Sequence, residues 1–202
     1  MKNRFASILI FMILSSFLYA NESILEKIKT NTESITSIKS DFRELKSSMF
    51  VENDVITEGK FHYATEDKVC LHYNNGDKLL MNGDNFMMRI GEDKLTGNRK
   101  SNPMISQLGN LLKSCVTGDF TKITGGNNKN LNIETTPNHY ILTINMTGAS
   151  KKYFSNIELR YHKENYSLEK LKMIEASGDF TEYTFMNQSF NQQIDLSVFN
   201  LH

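Results

Sequence analysis

The feature that most constrains this chain is alternation. From Ile38 onward, apolar and polar residues change places every second position through one segment after another. Successive side chains of a strand point to opposite faces, so such segments read as half-buried strands. Phe61 and Tyr63 alternate with Lys60 and His62, and Val69, Leu71 and Tyr73 alternate with Cys70 and His72. A turn centred on Asp67 sets Phe61 opposite Tyr73, Tyr63 opposite Leu71 and His62 opposite His72. Lys78 to Asn82 and Asn85 to Ile90 follow as strands joined by Gly83-Asp84, with Phe86, Met88 and Ile90 on one face. Further strands fit residues 131–134, 139–146, 157–161, 168–176 and 180–187, and Val198 and Phe199 close the chain.

Helical spacing interrupts this pattern twice. Ser23-Ile24-Leu25-Glu26 reads as a capping box opening a helix with Ile24, Leu25 and Ile28 on its apolar side. Residues 91–103 are polar and glycine-containing and read as a mobile loop. Asn102 then suits an N-cap with Pro103 at the first helical position. Met104, Leu108, Leu111 and Cys115 recur at helical spacing beside Ile105 and Leu112, and Gly118 is a fitting stop. The fold class expected is mainly β (α+β): one strongly curved antiparallel sheet with helices over its open side.

The start of the chain reads as an export signal. Lys2 and Arg4 precede an apolar run from Phe5 to Leu18, and Ala20 supplies the small residue at the cut. Residues 1–20 are therefore expected to be removed, leaving 21–202 as one domain. Asn21 rather than cysteine follows the cut, so the reading includes no lipid anchor. Without Lys2 and Arg4, 21 basic residues face 23 acidic ones. That balance gives no electrostatic reason to bind nucleic acid. Cys70 and Cys115 read as two separate buried thiols in preference to a disulfide, whose geometry a sequence cannot supply.

Motifs for catalysis do not occur: there is no Gly-x-Ser-x-Gly, no His-Glu-x-x-His, no phosphate-cradling glycine loop and no Cys-x-x-Cys. No enzyme activity, metal or cofactor is expected. The nearest approach to a metal site is His62, His72 and Cys70 on one hairpin face, without a fourth ligand. The opposite face is the better candidate. Phe42, Phe61, Tyr63, Leu71, Tyr73, Met81, Phe86 and Met88 are placed to form either a filled core or the lining of a cavity. Met104, Leu108, Leu111 and Leu112 would lie above it, and methionines suit a lining that repacks.

Several strings, in order, resemble the periplasmic outer-membrane lipoprotein carrier (LolA) family. They are the first helix leading into Ile38-Lys39-Ser40-Asp41-Phe42, then Gly59-Lys60-Phe61-His62-Tyr63 with Asp67-Lys68-Val69. Leu80-Met81-Asn82-Gly83-Asp84-Asn85 and the helix before Val116-Thr117-Gly118-Asp119-Phe120 follow. Ser177-Gly178-Asp179-Phe180-Thr181 and Thr184-Phe185-Met186-Asn187 complete the series, with Asn191, Ile194, Asp195 and Phe199 beyond. The resemblance implies an incomplete antiparallel barrel enclosing an apolar cavity. It also implies a monomer that takes acylated lipoproteins from an inner-membrane ABC transporter and carries them through the periplasm to the outer membrane. There an outer-membrane lipoprotein receptor receives them in many bacteria. On that basis the apolar face, with Tyr183 and Phe185 of the closing strand, becomes the acyl-chain contact surface. Met104, Leu108, Leu111 and Leu112 become a lid. One departure is visible: members carry a basic residue and proline at the turn after the Gly-x-Phe strand. Here that turn reads Ala64-Thr65-Glu66-Asp67.

Overall fold

The strands are β1 (Ser37–Ser47), β2 (Val55–Ala64), β3 (Lys68–Tyr73), β4 (Lys78–Asn82), β5 (Asn85–Ile90), β6 (Asp93–Asn98), β7 (Leu131–Thr135), β8 (His139–Asn145), β9 (Asn156–His162), β10 (Leu168–Ile174) and β11 (Phe180–Phe190). The helices are α1 (24–32), α2 (Pro103–Thr117) and α3 (Thr121–Thr124). The computed structural model describes residues 24–126 and 128–201. The expected signal segment and Ser23 of the capping box lie outside them. Within α1, Ile28 is fully buried and Ile24 and Leu25 pack beside it, as the spacing predicts.

All eleven strands join one antiparallel sheet in the order β6-β5-β4-β3-β2-β1-β11-β10-β9-β8-β7. The chain starts at the centre with β1 and winds outward to β6. It crosses through α2 and α3 to the far edge at β7 and winds back until β11 lies against β1. The two edges, β6 and β7, are not neighbours, so the sheet curves without closing.

An extra residue sharpens the curvature at the centre. Lys39 pairs with Ser189 but Asp41 with Met186, a bulge in β11. Asn187 there adopts a left-handed φ of 52°, which asparagine tolerates better than most residues. Its side-chain amide donates to the Asp41 carboxylate at 2.7 Å, and Ser40 Oγ donates to the Met186 carbonyl at 2.8 Å.

Two expectations are corrected. The β2–β3 hairpin pairs Phe61 with Leu71, Tyr63 with Val69 and His62 with Cys70, a slip of two residues from the register expected. The cause is the turn: Glu66 and Asp67 both take left-handed φ, and Ala64 pairs with Lys68 across three residues. An even slip keeps every side chain on its face. Second, the stretch expected as a mobile loop contains β6, which pairs with β5 through Met88–Leu95 and Phe86–Gly97. β6 is exposed along its whole length, and a polar sequence is what an edge strand carries.

The inner face of the sheet, α1 and α2 share the main apolar core. A second, smaller core lies on the outer face, where Cys70, Leu80 and Met87 are covered by Ile194 and Phe199 of the tail. Lys78 Nζ and Asn82 Nδ2 hold that tail through the carbonyls of Val198 (3.1 Å) and Phe199 (3.2 Å). Cys115 belongs to the inner core, so the two thiols lie on opposite faces and both are free. Burial raises each thiol, Cys70 to about 11. A thiol-reactive chromophore is therefore expected to label neither cysteine in the native protein and both after denaturation. Fast labelling of Cys70 in the native state would show that the tail over it opens.

Candidate functional site

Register builds the inner face layer by layer. On β1, Ile38, Ser40, Phe42 and Glu44 are buried and face inward. Ile38 pairs with Tyr63 of β2, and Phe42 and Glu44 pair with Phe185 and Tyr183 of β11. Rings then meet across strands: Phe61 and Phe185 at 5.1 Å, Tyr183 and Phe185 stacked at 6.4 Å, and Phe42 edge-on to Tyr73 at 5.0 Å. Of the residues expected to form the apolar face, Phe42, Phe61, Tyr63, Leu71, Met81, Phe86, Tyr183 and Phe185 are buried in one cluster. Tyr73 and Met88 pack against it partly exposed.

The helix over this face begins and ends as its sequence predicts. The Asn102 side chain accepts from the Ile105 amide, Pro103 occupies the first turn, and Gly118 stops the helix in a left-handed conformation. Ile105, Leu111, Leu112, Cys115 and Val116 are buried beneath α2, and Leu108 packs at the margin. Met104, expected among the lid contacts, is 47% exposed. Gly109 sits where α2 packs tightly on the side chains of Arg99 and Met81. A Cβ there would lie 2.8 Å from Arg99 Cζ and 2.9 Å from Met81 Sδ. Polar ties also fasten the helix: the buried Tyr161 hydroxyl donates to the Cys115 carbonyl at 2.7 Å, and Lys113 pairs with Asp67 at 2.5 Å.

Little space is left between helix and sheet. A cavity of about 20 Å³ is bounded by Ile38, Phe61, Leu112, Val116, Phe185 and Phe190 among others. A second of about 50 Å³ lies on the other flank of α2, beside Leu111, Ile123, Met146 and Phe154. By this measure a water needs roughly 10–15 Å³. The apolar face is therefore packed on itself and on α2, and any long apolar ligand has to displace the helix to enter.

A family model described as outer membrane lipoprotein carrier protein LolA matches residues 33–202. The chain belongs to the LolA family. No curated protein matches it by sequence. An uncharacterised conserved protein from Thermus thermophilus shares the fold with a TM-score of 0.53 at 8% identity, covering 89% of this chain and 92% of that one. The MucA/MucB complex of Pseudomonas aeruginosa contains a chain matching at a TM-score of 0.50 and 8% identity, over 89% of this chain and 60% of that one. Lipoprotein LppX of Mycobacterium tuberculosis aligns at 15% identity over 85% of this chain and 96% of its own, with a TM-score of 0.44.

The β2–β3 turn reaches the helix through Asp67, which meets Lys113 of α2. Both partners are more than a third exposed, so this pair contributes at most about 1 kcal/mol. Apolar burial and the Tyr161 bond hold α2 more firmly. Neither tie is visible in alternation or helical spacing, because each joins residues remote in sequence.

Glu44 is the other residue the sequence reading missed. It is 2% exposed among apolar side chains. Its Oε1 accepts from Tyr183 at 2.5 Å and Tyr73 at 3.1 Å, and its Oε2 accepts from Thr57 at 2.8 Å. Continuing the Ile38, Ser40, Phe42 alternation by one step would have placed it inward.

The outer face shows no comparable assembly. His62 pairs with Cys70, and His72 lies between Lys60 and Lys78. Burial, and then the charge of Lys39, keep the His62 imidazole below its ordinary value and so neutral. Among the described residues, no three His, Cys, Asp or Glu side chains stand together as a metal ion requires. No described helix is long and apolar enough to cross a membrane.

Proposed function

We propose that the protein is a periplasmic carrier that shields the acyl chains of lipoproteins between the inner membrane and the outer membrane. The observation that carries this reading is an aromatic sheet face covered by α1 and by the amphipathic α2, the latter seated by apolar contacts and by polar ties from Tyr161 and Asp67. Moving α2 exposes Phe61, Phe185 and their neighbours to cargo, and about 0.8 kcal/mol per buried methylene then holds the chain out of water. The collapsed cavity fits such a cycle, since an apolar space without a ligand is better filled by side chains than by water. The partners of this reading are a lipoprotein-releasing ABC transporter in the inner membrane and, where one exists, an outer-membrane receptor. The reading contains no catalytic step.

The test is release. Purified protein without residues 1–20, added to spheroplasts of the parent bacterium, is expected to draw acylated lipoproteins into the supernatant as soluble complexes. A protein that binds fatty-acyl probes but releases no lipoprotein would support a second reading, a carrier or sensor for another lipid. A protein that binds neither would remove both.

A further inference from the structure

We propose that Glu44 and the hydroxyls bound to it form the blind end of the acyl-chain site and set the longest chain the protein accepts. This rests on the carrier reading above and adds what limits its cargo. Ile38 bounds the cavity under α2, and Glu44 lies on the same inward face six residues further along β1, about 20 Å at the rise of a strand. Rings link the two without a break. Phe61 touches Phe185, Phe185 stacks on Tyr183, and Tyr183 meets the edge of Phe42 at 5.9 Å. An alkyl chain that pushes Phe61 and Phe185 aside keeps meeting apolar ring faces until it reaches Tyr183 and the carboxylate that Tyr183 binds.

There it stops, because the carboxylate acts as a wall and not as a receptor. Oε1 is taken by two tyrosine hydroxyls and Oε2 by Thr57, with the Lys46 ammonium 3.3 Å away. A carboxylate has about four acceptor positions, and these four groups occupy them. A hydroxyl or ammonium headgroup would have to break a bond to be recognised. A methylene forced into the same place would separate a buried carboxylate from its donors and return nothing. The donors are also permanent. Burial, reinforced by the Glu44 carboxylate, holds the Tyr73 and Tyr183 hydroxyls far above the ordinary phenol range.

The experiment is a series of saturated fatty acids of increasing length, competing with a fluorescent acyl probe for the wild-type protein, Glu44→Leu and Glu44→Gln. In the wild type, each added methylene is expected to tighten binding by about fourfold up to one length and to add nothing beyond it. Glu44→Leu moves that break to longer chains. Glu44→Gln, close in shape, moves it in the same direction by less and serves if the leucine variant does not fold, as judged by circular dichroism. A break at an unchanged length in a folded variant overturns the proposal, as does a wild-type series that rises with no break. Either result leaves the carrier reading standing. A wild-type protein that binds no fatty acid of any length overturns both.

Discussion

Exchanging Leu112 for aspartate is expected to lift α2 off the sheet while leaving the sheet folded. Leu112 is 2% exposed and bounds the small cavity together with Ile38, Phe61 and Phe185. Burying its side chain is worth about 1.5–3 kcal/mol, and an unpaired carboxylate in its place costs several kcal/mol more. Against this stand the side chains that stay buried under α2, Ile105, Leu111, Cys115 and Val116, with the Tyr161 hydrogen bond, worth about 1 kcal/mol, and the half-exposed Lys113–Asp67 pair, worth no more. A carboxylate at the centre of this buried face sets its desolvation against all of those contacts and shifts α2 toward the lifted position. The strands keep their own ladders, since α2 donates nothing to them. A hydrophobic dye should therefore brighten several-fold at neutral pH while the far-ultraviolet β spectrum stays.

The sign of the pH response follows from linkage. With α2 docked, burial raises the pKa of the new carboxyl; with α2 lifted, it returns to about 3.9. The docked form binds the proton more tightly, so docking returns as pH falls through the raised value and is lost as pH rises. Dye fluorescence should decline on mild acidification. Loss of the β spectrum along with α2 would show the helix to be an inseparable part of the core. An unchanged dye signal would show that α2 does not cover the apolar face.

How much of this was legible depends on the distance over which each interaction acts. Alternation and turn residues are local, and strands, faces and both ends of α2 were readable from them. Asn102, Pro103 and Gly118 act within one turn of the helix end they define. Register in β2–β3 was missed because it depends on left-handed backbone at Glu66 and Asp67, which neither residue type demands. β6 was missed because an edge strand need not bury anything, so no apolar periodicity marks it. Glu44 escaped because a carboxylate on an apolar face reads as a break in the pattern. Its donors come from three other strands, and only the assembled sheet shows them together. The second core under Ile194 and Phe199 was hidden in the same way: Cys70, Leu80 and Met87 occupy the positions that alternation assigns to solvent.

One added methyl group, in Gly59→Ala, is expected to cost as much as a large core truncation. Gly59 has no left-handed φ, so space and not backbone freedom requires a glycine there. A Cβ would lie 2.2 Å from the His72 carbonyl oxygen and 2.8 Å from Phe42 Cε1. The first contact is with backbone. Relieving it means opening β2–β3, where Gly59 pairs with Tyr73 and the Asn74 amide donates to the Glu58 carbonyl at 2.8 Å. Relieving the second means turning Phe42 away from the Tyr73 and Tyr183 rings it meets edge-on. Overpacking of this kind costs about 1–3 kcal/mol where side chains can adjust and more where backbone must. At roughly 2–4 °C per kcal/mol for a domain of this size, the melting temperature should fall by about 10 °C. Gly97→Ala is the matched control. Its Cβ would stand 3.0 Å from the Phe86 ring on an edge strand, where a side chain can yield, and its cost should stay near ~1 kcal/mol. Equal melting temperatures for the two variants would mean that β2 and β3 part easily at Gly59. In the expected case the glycine of the Gly59-Lys60-Phe61 string has a physical role: it leaves room for the Phe42 ring, which packs edge-on against Tyr73 and Tyr183, the two hydroxyl donors to Glu44.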